Sequence, residues 1–190
     1  NIHVSIYGTD TINILNGGAV ASLNSYDSTD VNLQSGGHIS HLHTYDNSLV
    51  NINTGSDVSH SSAYGNSHFE ITGGDVSFLR FFESSSANIY QMGDLSYLIF
   101  GEDTDVRLFG SNFLLSGGHL SGNWQNGDSF SFWLMSSEHE SIPPSILYSI
   151  PENLGLVEVS EPSSVILFIS GLLLLFIRKK SDLLVTGAHA

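Results

Sequence analysis

The sequence predicts an all-β fold, a parallel β-solenoid with coils of about nineteen residues, and three observations carry that prediction. Tyr7, Tyr26, Tyr45 and Tyr64 recur every nineteen residues, and Phe82 and Phe100 extend the series in steps of eighteen. Behind each aromatic runs an apolar pair spaced i, i+2: Ile12 and Ile14, Val31 and Leu33, Val50 and Ile52, Phe69 and Ile71, Ala87 and Ile89, Val106 and Leu108. That spacing is the alternation of a strand with one face inward. A glycine-bearing turn then precedes two further columns, Val20, Ile39, Val58, Val76 and Leu95, and Leu23, Leu42, Ser61, Leu79 and Leu98.

A unit this short cannot bury its own apolar face, so successive units must stack, each column touching itself one coil on. At about 4.8 Å per coil, five to six coils make a rod of roughly 25 to 30 Å. Leucine-rich repeats share the period, but glycine pairs at mid-repeat and abundant Ser, Thr and Asn oppose a helical segment. The solenoid is therefore expected over residues 1–108. After Leu108 the period breaks, because Ser-Gly-Gly-His-Leu-Ser at 116–121 echoes Ser-Gly-Gly-His-Ile-Ser at 35–40 five residues late. Trp124, Phe130, Phe132 and Trp133 gather about Asn126-Gly127, a two-residue hairpin signal. Residues 109–135 are accordingly expected to form a C-terminal β-hairpin cap over strand edges that would otherwise stay open. Pro143, Pro144, Pro151 and several acids mark 136–159 as a spacer.

Before Val165 the chain carries eighteen Asp and Glu against Arg80 and Arg107, a net charge of minus 16. So acidic a domain gains nothing from counterion release, which excludes nucleic acid as a partner class. With no cysteine, disulfides, zinc-thiolate sites and thiol catalysis are excluded together. Ser, His and Asp are so frequent that a hydrolase triad can be assembled on paper many times over, which makes such matches uninformative. Carbohydrate-active enzymes do occur on parallel β-helices, and that is the alternative reading. The short uniform turns and the two arginines, read as charge balance, favour a protein that is not an enzyme.

The C-terminus has a different character. Ser160-Glu161-Pro162 leads into thirteen apolar-dominated residues, Val165 to Ile177, followed by the basic cluster Arg178-Lys179-Lys180. A helix there has no polar face and needs an apolar environment all round. At about 1.5 Å per residue it spans roughly 20 Å, short for a permanent anchor. Positive charge beside an apolar segment is retained on the cytoplasmic side, which puts everything before Glu161 outside it. This tail resembles the PEP-CTERM sorting signal of Gram-negative bacteria, with the motif falling on Ser160, Glu161 and Pro162. Ser160 stands where the family usually has Pro, and ten residues, 181–190, follow the basic cluster. The resemblance implies a sorting domain over 160–180 with a transmembrane helix over 165–177. It further implies recognition by an exosortase, a membrane peptidase that removes the tail and passes the protein to the cell surface or exopolysaccharide. Because the chain opens at Asn1 without a basic and apolar leader, an export signal is expected upstream.

The repeats also resemble a unit found with such tails, Tyr-Asp-Asn-Ser-x-Val-Asn-Ile-x-x-Gly-Gly-x-Val-Ser-x-Leu. Tyr45 to Leu49 and then Val50-Asn51-Ile52 match it closely, and the likeness extends over roughly 2–134. No catalytic residue, metal ligand or cofactor is carried by that likeness. Among the residues themselves, His38, His41, His43 and His60 are read as surface decoration, with His41 and His60 placed to stack on adjacent coils. Asp57, Asp75 and Asp94, like Asp27, Asp46 and Glu83, form acidic rows whose repulsion calcium would relieve. The Gly-Gly-x-Gly-x-Asp nonapeptide of calcium-binding rolls is missing, so no cofactor is expected. Asn13, Asn32, Asn51 and Asn88 lie between inward positions and should form an outward amide ladder.

Overall fold

A computed structural model describes residues 2–139 and 142–159; the chain divides into units 1–159 and 160–190, and the sorting motif, the apolar run and the basic cluster lie outside the described residues. The described chain is a parallel β-solenoid of about six turns without a helix. Each regular coil carries two strands, one of four to six residues and one of four or seven. The first kind comprises β2 (Thr11–Ile14), β4 (Asp30–Leu33), β6 (Leu49–Ile52), β8 (His68–Thr72) and β10 (Ser86–Gln91). The second comprises β1 (His3–Ile6), β3 (Ala19–Ser25), β5 (His38–Thr44), β7 (Asp57–Ala63), β9 (Asp75–Phe81) and β11 (Tyr97–Phe100). Even strands pair in parallel with even and odd with odd, so the two sets form two parallel stacks.

The inward columns are those the sequence predicts, since Ile12 stands over Val31, Val31 over Val50 and Val50 over Phe69. The seven-residue strands turn a corner. Between β3 and β5 the ladder passes from Val20↔Ile39 to Ser22↔His41, skipping one residue, and burial steps from Val20 to Leu23 to Ser25. A coil thus has three sides, with the outward positions of the third side at 22, 24 and 26 and their equivalents. From Val31 to Leu108 the core side chains are nearly all inaccessible.

The steps of eighteen have one origin. Ile52 aligns with Ile71 at nineteen but Asp57 aligns with Asp75 at eighteen, so a single residue is lost in the turn between them, at Gly73-Gly74. Beyond that turn the period returns to nineteen, because Phe81 aligns with Phe100. This corrects one sequence expectation: Phe100 does not continue the Tyr7 to Phe82 series but is an inward residue, 1 % exposed, and Gly101 occupies the outward place.

At the far end the regular pattern stops. β12 (Asp105–Ser116) pairs with β10 over its first half, then continues as an arm antiparallel to β13 (His119–Trp124). A turn in which Gly127, at φ 92°, donates its N–H to the Trp124 carbonyl reverses the chain into β14 (Ser129–Ser136). β14 pairs antiparallel with β13 and, over Trp133–Ser136, parallel with β11. β13 therefore bridges the two stacks, and one continuous sheet results.

Residues 136–159, expected as a spacer, instead return to the rod. β15 (Ser145–Ile146) pairs with β14, and β16 (Leu154–Glu158) pairs in parallel with β12, Leu154 beneath Val106 and Leu156 beneath Leu108. The reason is in the residues: Leu154 and Leu156 repeat the i, i+2 apolar pair of every earlier coil. Asn153 fixes the segment by donating to the Gly101 carbonyl at 2.7 Å and to Thr104 Oγ1 at 3.1 Å.

Candidate functional site

The outward columns of the rod are ladders, and each uses its polar atoms differently. On the first side Asn51 Nδ2 donates to Asn32 Oδ1 at 2.8 Å, and Asn32 Nδ2 to Asn13 Oδ1 at 3.1 Å. Glu70 then takes the next place in the row and accepts from Asn88 Nδ2 at 2.7 Å, while His68 Nε2 lies 3.0 Å from the same carboxylate. The predicted amide ladder is present, with a carboxylate inserted where the sequence breaks it.

The acidic row after the tyrosines is tied to the backbone. Gly8, Asp27, Asp46, Gly65 and Glu83 share the left-handed turn conformation, at φ 58° to 70°. Asp and Gly adopt it at small cost, and Gly65 is required, because a Cβ there would lie 2.8 Å from the Asp46 nitrogen. In that conformation each carboxylate reaches the coil before it. Gly8 N–H donates to Asp27 at 2.9 Å, Asp27 N–H to Asp46 at 3.1 Å and Gly65 N–H to Glu83 at 2.7 Å. In the other row Asp94 N–H donates to Asp75 at 3.0 Å, and Asp57 meets His38 Nδ1 at 2.8 Å. Turn amides and an imidazole thus offset the carboxylate repulsion.

The third side carries two aromatic stacks. Tyr7, Tyr26, Tyr45, Tyr64 and Phe82 stack with ring centroids 4.9, 4.8, 5.0 and 5.4 Å apart. Four residues back along the strands, His41, His60, Phe78 and Tyr97 form a second stack at 5.1, 4.6 and 5.0 Å. The His41–His60 contact is the one predicted from their spacing. His60 is held below its ordinary pKa, first by burial and then by the neighbouring His41 and Arg80. A hydrogen bond to the Ser40 backbone opposes that shift without cancelling it. Among the described residues no three His, Asp or Glu side chains converge as metal ligands, and there is no helix long and apolar enough to cross a membrane.

No protein-family model, curated protein or solved structure matches this chain. Its functional surfaces are therefore read from their own chemistry. The two arginines among the described residues occupy different settings: Arg107 donates to Asp105 at 2.8 Å, whereas the Arg80 guanidinium lies 6.0 Å from the Phe78 ring centroid on the third side.

A buried hydroxyl column escaped the sequence reading. Thr29, Ser48, Ser67, Ser85 and Thr104 are all buried, each three residues after the outward column of Tyr26 to Gly101. Ser48, Ser85 and Thr104 donate back to the carbonyls of Tyr45, Phe82 and Gly101 at 2.8, 2.7 and 2.9 Å. Thr29 meets Ser25 in its own coil and Ser48 in the next, the latter at 3.1 Å. The signal was the fixed offset of three from the aromatic series, hidden because Ser and Thr are common throughout the chain.

Proposed function

We propose that this protein is an exported, non-catalytic structural or adhesive component of the cell surface or extracellular matrix of a Gram-negative bacterium. Its precursor is inserted in the membrane through residues 165–177 and sorted by an exosortase-type peptidase at Ser160-Glu161-Pro162, and its solenoid is the part displayed. The β12–β14 arm serves as the cap, since it pairs strand edges that would otherwise attract a second chain.

The observation that carries this reading is the order of segments at the C-terminus: a Glu-Pro motif, an apolar run, then Arg178-Lys179-Lys180. The displayed part supports it, because its polar side chains bond to one another along ladders, as a passive rod requires. Mass spectrometry of the C-terminus in membrane and released fractions of the native bacterium tests the proposal. Loss of everything beyond the Ser160 to Pro162 region in the released form is the expected result. An uncut tail confined to membranes would overturn sorting and leave a tethered rod.

A further inference from the structure

The third side of the rod differs from the rest of the surface in charge. Its outward rows are His3, Ser22, His41, His60, Phe78 and Tyr97; Ser5, Asn24, His43, Ser62, Arg80 and Ile99; and the tyrosine stack. No Asp or Glu occurs in these rows, although the chain has eighteen before Val165. The two aromatic stacks are four residues apart along the strands, so they stand about 13 Å from each other. In the row between them Ser62, though outward, is only 2 % exposed. The result is a trough running along the rod, walled on one side by the tyrosine stack and on the other, from His41 on, by the second stack, with a floor of hydroxyl, amide and imidazole groups as far as Ser62, and Arg80 and Ile99 beyond it. Its C-terminal end is closed, because Ser137, Ile142 and Pro144 stand against Arg80, Phe82 and Ile99 around a cavity of about 50 Å³. Its N-terminal stretch, past Tyr26 and Tyr7, is open.

We infer that this trough seats an extended, uncharged polysaccharide lying parallel to the rod axis. The inference deepens the display function proposed above and rests on it. Three features select this ligand. Ring faces within each stack are covered by their neighbours, so the walls offer ring edges and phenol groups, which suit the mixed apolar and hydroxyl surface of a sugar. The floor offers both donors and acceptors and no fixed carboxylate, so a sugar hydroxyl displaces water without uncovering an unpaired ion. Acidic rows at Asp27, Asp46 and Glu83 on one rim and at Asp57, Asp75 and Asp94 near the other repel a polyanion. The pitch also matches, since each coil advances about 4.8 Å, close to the length of one sugar in an extended chain. One tyrosine of the stack therefore stands beside each successive sugar from Tyr7 to Tyr64.

Native affinity electrophoresis of the full chain in mild detergent tests the inference, with hydroxyethylcellulose, laminarin, dextran or alginate cast in the gel. Retardation by at least one of the three neutral glycans, and little by alginate, is the expected result. Asn24→Glu and His43→Glu, which each place a carboxylate on the floor, should reduce that retardation at least tenfold at unchanged melting temperature. Thr11→Glu, on the first side, should leave it intact. Two substitutions in neighbouring coils keep the test valid if one of them fails to fold. Migration unaffected by every neutral glycan, stronger retardation by alginate, or equal loss in the Thr11 variant would overturn the inference. If mass spectrometry meanwhile finds the processed tail, the display function stands and only the ligand is wrong.

Discussion

The first five coils and the last turn solve the same packing problem in different ways. In the coils from Val20 to Phe100 every inward residue rests on its equivalent eighteen or nineteen positions away, so one short pattern builds the whole stretch. In the last turn the same columns are completed from separated segments: Leu134 lies beneath Leu98, and Leu154 beneath Val106. The regular coils are held by nearest neighbours alone, as in any one-dimensional array. The last turn adds β15 and β16 to the ends of the array, and its contacts span long loops and carry a larger closure entropy. Regularity lets local sequence specify the structure, and the last turn departs from it.

Cutting a column in each region tests this contrast most directly. Leu42 is 1 % exposed between Leu23 and Ser61, and Leu42→Ala should cost about 2 to 5 kcal/mol in chemical denaturation. Leu154→Ala should cost about 2 kcal/mol, at the low end of that range, because one side of its column is the end of the array. Hydrogen exchange should show the first lesion loosening coils on both sides of it and the second only the strands around β12. Equal costs and equal spread would mean that the last turn is an ordinary coil.

Smaller changes sharpen the comparison within the regular coils. Thr29→Val removes a hydroxyl bonded to both Ser25 and Ser48, and Asn32→Ala removes the middle of the amide ladder; each should cost about 1 kcal/mol. Ser61 is the counterexample, a hydroxyl in the leucine column, 1 % exposed and without a hydrogen-bond partner. Ser61→Ala should therefore stabilise the protein, by up to about 1 kcal/mol, and a loss in melting temperature would show that the hydroxyl is satisfied.

The smallest expected effect is that of pH. The folded state holds His60 below its unfolded pKa of 6.5, so the unfolded chain binds more protons as pH falls. Its contribution is complete above pH 6.5 and is lost as pH drops from there through the folded value. The melting temperature should fall over that window, and His60→Phe, which extends the stack with Phe78, should shrink the fall. An identical pH profile in the variant would show that His60 is not its source.

The ladders were legible in so far as their residue types are rare or their period strict. The Asn row and the His41–His60 stack follow directly from spacing, whereas the Thr29 to Thr104 column was lost among many hydroxyls. Phe100 falls outside the Tyr7 to Phe82 series because the eighteen-residue step comes from one short turn at Gly73-Gly74, beyond which the period is nineteen again. Leu154 and Leu156 repeat the inward pair, but the prolines before them read as a spacer, and only their pairing with Val106 and Leu108 reveals a coil.

What the sequence determined by itself is the coil: its period, its inward columns and its outward ladders, because each residue's neighbour in space is its own counterpart one repeat away. What only the tertiary structure decided is where the columns end, which side is free of carboxylates, and how distant segments complete the last turn. Those depend on the corner at Ala21 and its equivalents and on contacts between strands such as β12 and β16, far apart in the chain. No periodicity encodes such contacts, because each occurs once.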